Sequence, residues 1–151
     1  MKALLCETPI GLLQIVEDDS AITQIRLADN SFSREAEETP LLLEAKRQLT
    51  EYFSGKRKNF DLPLAPKGTP FQQKVWTALQ TIPYGETRSY QQIAEQIGSP
   101  KACRAVGLAN NKNPIILAIP CHRVIGADGQ LVGYAGGIWI KEKLLALEQA
   151  K

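Results

Sequence analysis

Residues 55–69 carry Pro63, Pro66 and Gly68 and show little hydrophobic periodicity, so neither a helix nor a strand is expected to run through them. A break of this kind in mid-chain forces a fold in two parts, with the boundary near residue 66. At 151 residues the whole is one ordinary domain, or two small ones sharing a boundary. Its 44% hydrophobic and 23% charged residues are those of a globular chain and exclude wholesale disorder.

The first part, residues 1–66, predicts a small antiparallel sheet followed by a helix. Apolar segments at 4–7, 11–17 and 21–28 are separated by Thr8-Pro9 and by residues 17–20, which suit tight turns. From about residue 41 to 53, Leu42, Ala45, Leu49, Tyr52 and Phe53 follow helical spacing, and Ser54-Gly55 stops the helix. The second part, residues 67–151, predicts mainly helices. Thr69-Pro70 is an N-cap and first-turn pair ahead of a stripe formed by Phe71, Val75, Trp76, Leu79 and Ile82. Ser89-Tyr90-Gln91-Gln92 has the capping-box pattern, and that helix ends at Gly98. Ser99-Pro100 then reads as the start of another, giving a helix-turn-helix. A buried strand is expected at 115–119.

Net charge is only +2, but it is unevenly placed. Residues 1–66 hold 8 Lys/Arg against 11 Asp/Glu, whereas residues 67–151 hold 10 against 5. A basic C-terminal part points to an anionic partner such as nucleic acid. Three cysteines at no framework spacing argue for a reducing compartment, and one histidine with scattered cysteines makes no zinc site, so no metal is expected. The sequence has no apolar run long enough to span a membrane, and its start lacks a secretory h-region. A cytoplasmic protein, or a nuclear one in a eukaryote, is the expectation.

The predicted second helix of the helix-turn-helix is rich in small residues: Ala102, Cys103, Ala105, Gly107 and Ala109. Such a face lets a backbone approach a DNA groove closely. Arg104 is then placed to enter the duplex, and Lys101 or Lys112 to meet phosphates. Beyond it, Pro120-Cys121-His122-Arg123-Val124 sets the only imidazole in the chain beside a thiol. A thiolate is a soft nucleophile and needs a basic neighbour at neutral pH. If the segment were extended, His122 and Cys121 would point to opposite faces, so a turn or a bridging water is required. Glu142 and Glu148 are both available to orient the imidazole. Cys6 and Cys103 lack such a neighbour and read as structural.

GTPFQQKVWTALQTIPYGETRSYQQIA, KACRAVGLANNKNP, and above all IPCHRVIGADGQLVGYAGG followed by KEKLLALE, closely resemble the O6-alkylguanine-DNA alkyltransferases over residues 68–148. The resemblance implies a two-part α/β fold and transfer of an alkyl group from O6 of guanine (O4-alkylthymine being a second substrate) in double-stranded DNA to Cys121. It implies that His122 activates the thiol through a water and that Glu148, rather than Glu142, orients His122. Tyr90 corresponds to the tyrosine that meets the departing guanine, Arg104 to the arginine that fills the hole left by the extruded nucleotide, and Asn113 to the asparagine tying the recognition helix to the active-site loop. Lys101, Ala102 and Ala105 fall on the DNA-facing helix, approached from the minor groove. Val124, Tyr134, Ala135 and Gly136 fall around the substrate pocket. Ala135 stands where some members have Ser, and Lys143 where an aromatic residue is frequent.

General chemistry fits these implied roles. A base inside a stack must be flipped out, at a cost of a few kcal/mol. Guanine leaves only if donors such as the Tyr90 hydroxyl and N–H groups around Ala135 meet its developing charge. The product is a thioether that nothing here hydrolyses, and no cofactor fingerprint is present, so one turnover per chain without a cofactor is expected, by a monomer. Competing readings are an alkyltransferase-like protein that recognises damage without transfer, a helix-turn-helix regulator, and a cysteine hydrolase. The first replaces the cysteine that this chain keeps. The second needs a dimer and base-reading side chains. The third regenerates its thiol.

Overall fold

The computed structural model describes residues 2–28, 37–126, 129 and 137–149. The chain forms two compact units, Met1–Lys67 and Gly68–Lys151. In the first, β1 (Lys2–Thr8), β2 (Gly11–Asp18) and β3 (Ala21–Leu27) make an antiparallel sheet in the order β1-β2-β3, followed by α1 (Pro40–Phe53). The β2–β3 turn places Asp19 and Ser20 at φ 50 and 64, the two left-handed residues that match the twist of a tight hairpin. Leu4, Ile15 and Ile25 face one another across the three strands, all buried. α1 packs on the sheet, burying Leu42, Ala45, Leu49 and Tyr52 at helical spacing. It starts from a Thr39 cap whose hydroxyl accepts from the Leu42 N–H. The proline-rich segment is not wholly irregular: Ile22 N–H donates to Pro63 O at 2.8 Å and Ala65 N–H to Ile22 O at 2.9 Å, extending the sheet beyond β3.

The second unit contains α2 (Pro70–Leu79), β4 (Arg88–Ser89), α3 (Tyr90–Gln96), α4 (Cys103–Asn111), a single 3-10 turn at Cys121–Arg123, β5 (Val124–Ile125) and α5 (Ile138–Gln149). Thr69 and Ser89 cap α2 and α3, each in a full capping box closed by Gln72 and Gln92. Among the described residues no helix is long and apolar enough to cross a membrane. The two-part α/β architecture expected from the sequence is the one observed.

Two local expectations are corrected. Ser99-Pro100 does not start α4: a turn closed by Ala102 N–H to Ser99 O at 2.9 Å comes first, and the helix begins at Cys103 with Ala102 as an N-cap that makes no side-chain bond. Residues 115–119 are not a strand. Ile119 N–H folds back to Ile115 O at 3.0 Å, and Leu117 adopts φ 75, so the apolar run is a buried turn. Residues 121–123 form a helical turn, one of the two alternatives that the sequence left open.

Trp76 joins the helices of this unit. It is buried, and its indole N–H donates to Ala109 O on α4 at 2.9 Å. Gly68 lies so close to this ring that a Cβ there would stand 2.4 Å from it. Trp76→Phe removes one of the two donors to Ala109 O, the Lys112 N–H remaining at 3.1 Å, and leaves a void; urea unfolding should show a loss of about 1–2 kcal/mol.

Candidate active site

Two pairings bring the chemistry-bearing residues together. β4 and β5 run parallel, Arg88 opposite Val124 and Ser89 opposite Ile125, so Tyr90 at the start of α3 is stapled beside the 3-10 turn that precedes Val124. Asn113 shapes the approach to that turn. Its Oδ1 accepts from Ile115 N–H at 3.0 Å and its Nδ2 donates to Ile119 O at 2.7 Å, closing the loop that carries Leu117 in its left-handed conformation. Cys121 N–H then donates to Ile119 O at 2.8 Å.

Cys121, His122 and Arg123 are all buried on this turn. His122 Nε2 lies 2.6 Å from Glu148 Oε2, at the C-terminal end of α5. Arg123 clamps the same carboxylate, with Nε 2.8 Å from Oε1 and Nη2 3.0 Å from Oε2, while its Nη1 donates to Ile82 O at 2.7 Å. The Gly85 N–H points at Oε1 from 3.5 Å. Paired with a guanidinium in this way, Glu148 is an ionised acceptor. The proton between it and His122 therefore sits on Nε2, which leaves the lone pair on Nδ1. Nδ1 is buried and has no hydrogen-bond partner among the described residues. Burial, against the pull of the carboxylate, holds the His122 pKa below its ordinary value, so the ring is neutral near neutral pH.

Lys141 on α5 is fully buried (0% exposed), and its Nζ lies 5.7 Å from the centre of the Tyr90 ring. Burial lowers its pKa to about 8, and the charge of a Cys121 thiolate acts in the opposite direction. Tyr90 is pushed up by burial and then by the charges of Cys121 and Cys103, so its hydroxyl keeps its proton. The arrangement thus sets a buried thiol, a buried neutral base and a buried ammonium beside the half-buried Tyr90.

Two family models divide the chain between them: the 6-O-methylguanine DNA methyltransferase ribonuclease-like domain matches residues 1–66, and the DNA binding domain of the same family matches residues 70–150. The chain is 53% identical over 152 aligned residues to the constitutive methylated-DNA–protein-cysteine methyltransferase of Bacillus subtilis, covering 95% of this chain and 92% of that protein. A protein of the same name from Methanosarcina acetivorans is 52% identical, with 94% of each covered. The chain belongs to the 6-O-methylguanine DNA methyltransferase family. Its fold superposes on the crystal structure of Mycobacterium tuberculosis OGT in complex with DNA with a TM-score of 0.91 at 49% identity, covering 99% of this chain and 93% of that one.

Among the residues singled out in this methyltransferase-family sequence, Cys121, His122, Glu148 and Tyr90 come together, and Glu142 is exposed away from them. Val124 is buried in β5. Lys101, Arg104 and Ala105 are exposed along α4 and the turn before it, with Ala102 half-buried. Tyr134, Ala135 and Gly136 lie outside the described residues. Sequence reasoning missed two members of the cluster. Arg123 was visible as the neighbour of His122 but had no role assigned. Lys141 lies seven residues before Glu148, two helical turns along the same face, which was readable had a lysine been considered for the interior.

His122 ties folding to pH. Its folded pKa is depressed from 6.5, so the unfolded chain takes up the proton first. Its stabilising contribution is complete above about 6.5 and is lost as pH falls toward the folded value. Unfolding free energies of the protein and of His122→Asn should converge as pH is lowered through that window.

Proposed function

We propose that this protein repairs DNA by moving the alkyl group of O6-alkylguanine, and of O4-alkylthymine, irreversibly to Cys121. The protein is a methylated-DNA–protein-cysteine methyltransferase, and double-stranded DNA is its partner. The observation that carries the residue assignment is the buried His122 on the same turn as Cys121, its Nε2 proton committed to Glu148 and its Nδ1 lone pair without a hydrogen-bond partner among the described residues.

The thiol proton passes through one water to Nδ1, and Glu148, fixed by Arg123, stabilises the imidazolium that forms. The thiolate attacks the alkyl carbon. A sulfur–carbon bond forms, the carbon–O6 bond breaks, and its electron pair goes to the purine. Tyr90 donates to the base as that charge grows, and the proton held by His122 is available to neutralise it. Lys141 supplies a positive charge beside the sulfur and favours the thiolate. Cys121 is buried, so the added group crowds a packed site and weakens the fold of the spent protein. The thioether has no route back, and one chain performs one turnover without a cofactor.

Residues 67–151 carry DNA binding and catalysis in this reading, and residues 1–66 form the sheet–helix domain. The exposed face of α4, with Arg104, Ala105 and Leu108, enters the minor groove, and Arg104 takes the place of the flipped nucleotide. Asn113 ties that helix to the nucleophile's loop and Val124 lines the pocket, a role that the family resemblance also gives to Tyr134, Ala135 and Gly136. This reading has a monomer working in the cytoplasm, or in the nucleus of a eukaryote, three cysteines at no framework spacing suiting a reducing compartment.

Peptide mass spectrometry after mixing with a duplex holding one O6-methylguanine should find one methyl-for-hydrogen increment on the Cys121 peptide, at no more than one per chain. DNA binding with unchanged protein mass would instead indicate damage recognition alone, and lesion loss with unmodified protein a turning-over enzyme. Lys141→Met is expected to slow alkylation by roughly ten-fold at neutral pH and to move the pH–rate profile upward. Because the depressed pKa of Lys141 means that its charge opposes folding below about 10.5, the same variant should melt at a higher temperature.

A further inference from the structure

α4 has an exposed face, carrying Arg104, Ala105, Leu108, Asn111 and Lys112, and a buried one formed by Val106, Ala109 and Asn110. Asn110 is anomalous on the buried face. Only 2% of it is exposed, and neither the oxygen nor the nitrogen of its carboxamide has a hydrogen-bond partner among the described residues. A dry, unpaired amide is unfavourable, because its water is stripped away and nothing replaces it. Leucine, of similar size, would serve the interior better.

Its position indicates what the amide meets. Residues 103, 107 and 110 fall on one stripe of a helix. Gly107 packs on the Tyr90 ring, whose Cδ1 and Cε1 would lie 3.8 Å from a Cβ at that position. Cys103 and Cys121 both act electrostatically on Tyr90. Asn110 is therefore the next position along the stripe that packs on Tyr90.

We propose that Asn110 is a specificity-determining residue, its carboxamide pairing with the Watson–Crick edge of the base brought to Cys121. The proposal rests on the alkyl-transfer reading above and sharpens its substrate class. A carboxamide sets N–H donors beside a carbonyl acceptor. Alkylation at O6 removes the N1 proton of guanine, so N1 accepts while the 2-amino group donates. Nδ2–H to N1 and the 2-amino N–H to Oδ1 complete a two-bond match. Undamaged guanine keeps its N1 proton and presents two donors, one of them against the Asn110 N–H. O4-alkylthymine presents two acceptors, N3 and O2, and sets an oxygen against Oδ1. Asn110 thus favours the alkylated guanine by attraction and disfavours the other two bases by mismatch.

The test is single-turnover alkylation of the full chain by duplexes containing O6-methylguanine, O6-methylhypoxanthine (which lacks the 2-amino group) or O4-methylthymine. The protein is compared with Asn110→Leu and Asn110→Ala, and all are checked by thermal melting. The rate constant on O6-methylguanine should fall about ten-fold in both variants. The loss on O6-methylhypoxanthine should be smaller, and the preference over O4-methylthymine should shrink by about the same ten-fold factor. Asn110→Leu should melt no lower than the unsubstituted protein; if it fails to fold, the ratios for Asn110→Ala decide. Ratios among the three substrates that stay within two-fold of the unsubstituted protein's, or rates that fall by a common factor, would overturn the proposal and leave Asn110 as a holder of structural water. Failure of the unsubstituted protein to take a methyl from O6-methylguanine would overturn the alkyl-transfer reading as well, a result distinct from normal reaction with unchanged ratios.

Discussion

A single carboxylate organises the second unit. Glu148 receives two hydrogen bonds from Arg123 and a close contact from His122, with the Gly85 N–H directed at it from a loop far away in the chain. A charge this deeply buried is tolerable only when its oxygens are fully engaged. That requirement draws α5, the 3-10 turn and the loop after α2 to one point, because each supplies something the carboxylate needs. The same bonds determine which nitrogen of His122 is basic. The fold's electrostatic demand and the site's chemistry are met by one set of atoms.

The elements that could be read from the sequence were those whose signals are local. Thr69-Pro70 and Ser89 carry their own start signals in neighbouring atoms, and the spacing of Leu42, Ala45, Leu49 and Tyr52 describes a helix face without reference to anything else. Residues 115–119 misled because a short apolar run is compatible with several buried conformations. Two facts decide it: the Asn113 side chain spans the loop, and Leu117 accepts a left-handed backbone inside a packed core. Neither has a signature in residue type.

The active cluster divides in the same way. Cys121-His122 declared itself by adjacency, and Glu148 over Glu142 came from family resemblance, since both glutamates are on the same helix and spacing alone left them equal. Lys141 escaped notice because lysine is ordinarily a surface residue. Its burial is intelligible only with the sulfur in view: an ammonium that opposes folding becomes useful where a thiolate must be stabilised. Asn110 is comparable, a polar group whose placement makes little sense for the interior taken by itself.

Asn113 lies just past the C-cap of α4 and also braces the loop that ends at Cys121, so α4 and Cys121 belong to one mechanical piece. In the proposed reading, where α4 faces DNA, linkage works in both directions. Strain that an acquired alkyl group places on that loop is then also strain on α4, and the geometry that aims the sulfur would give the spent protein a means of leaving the repaired strand.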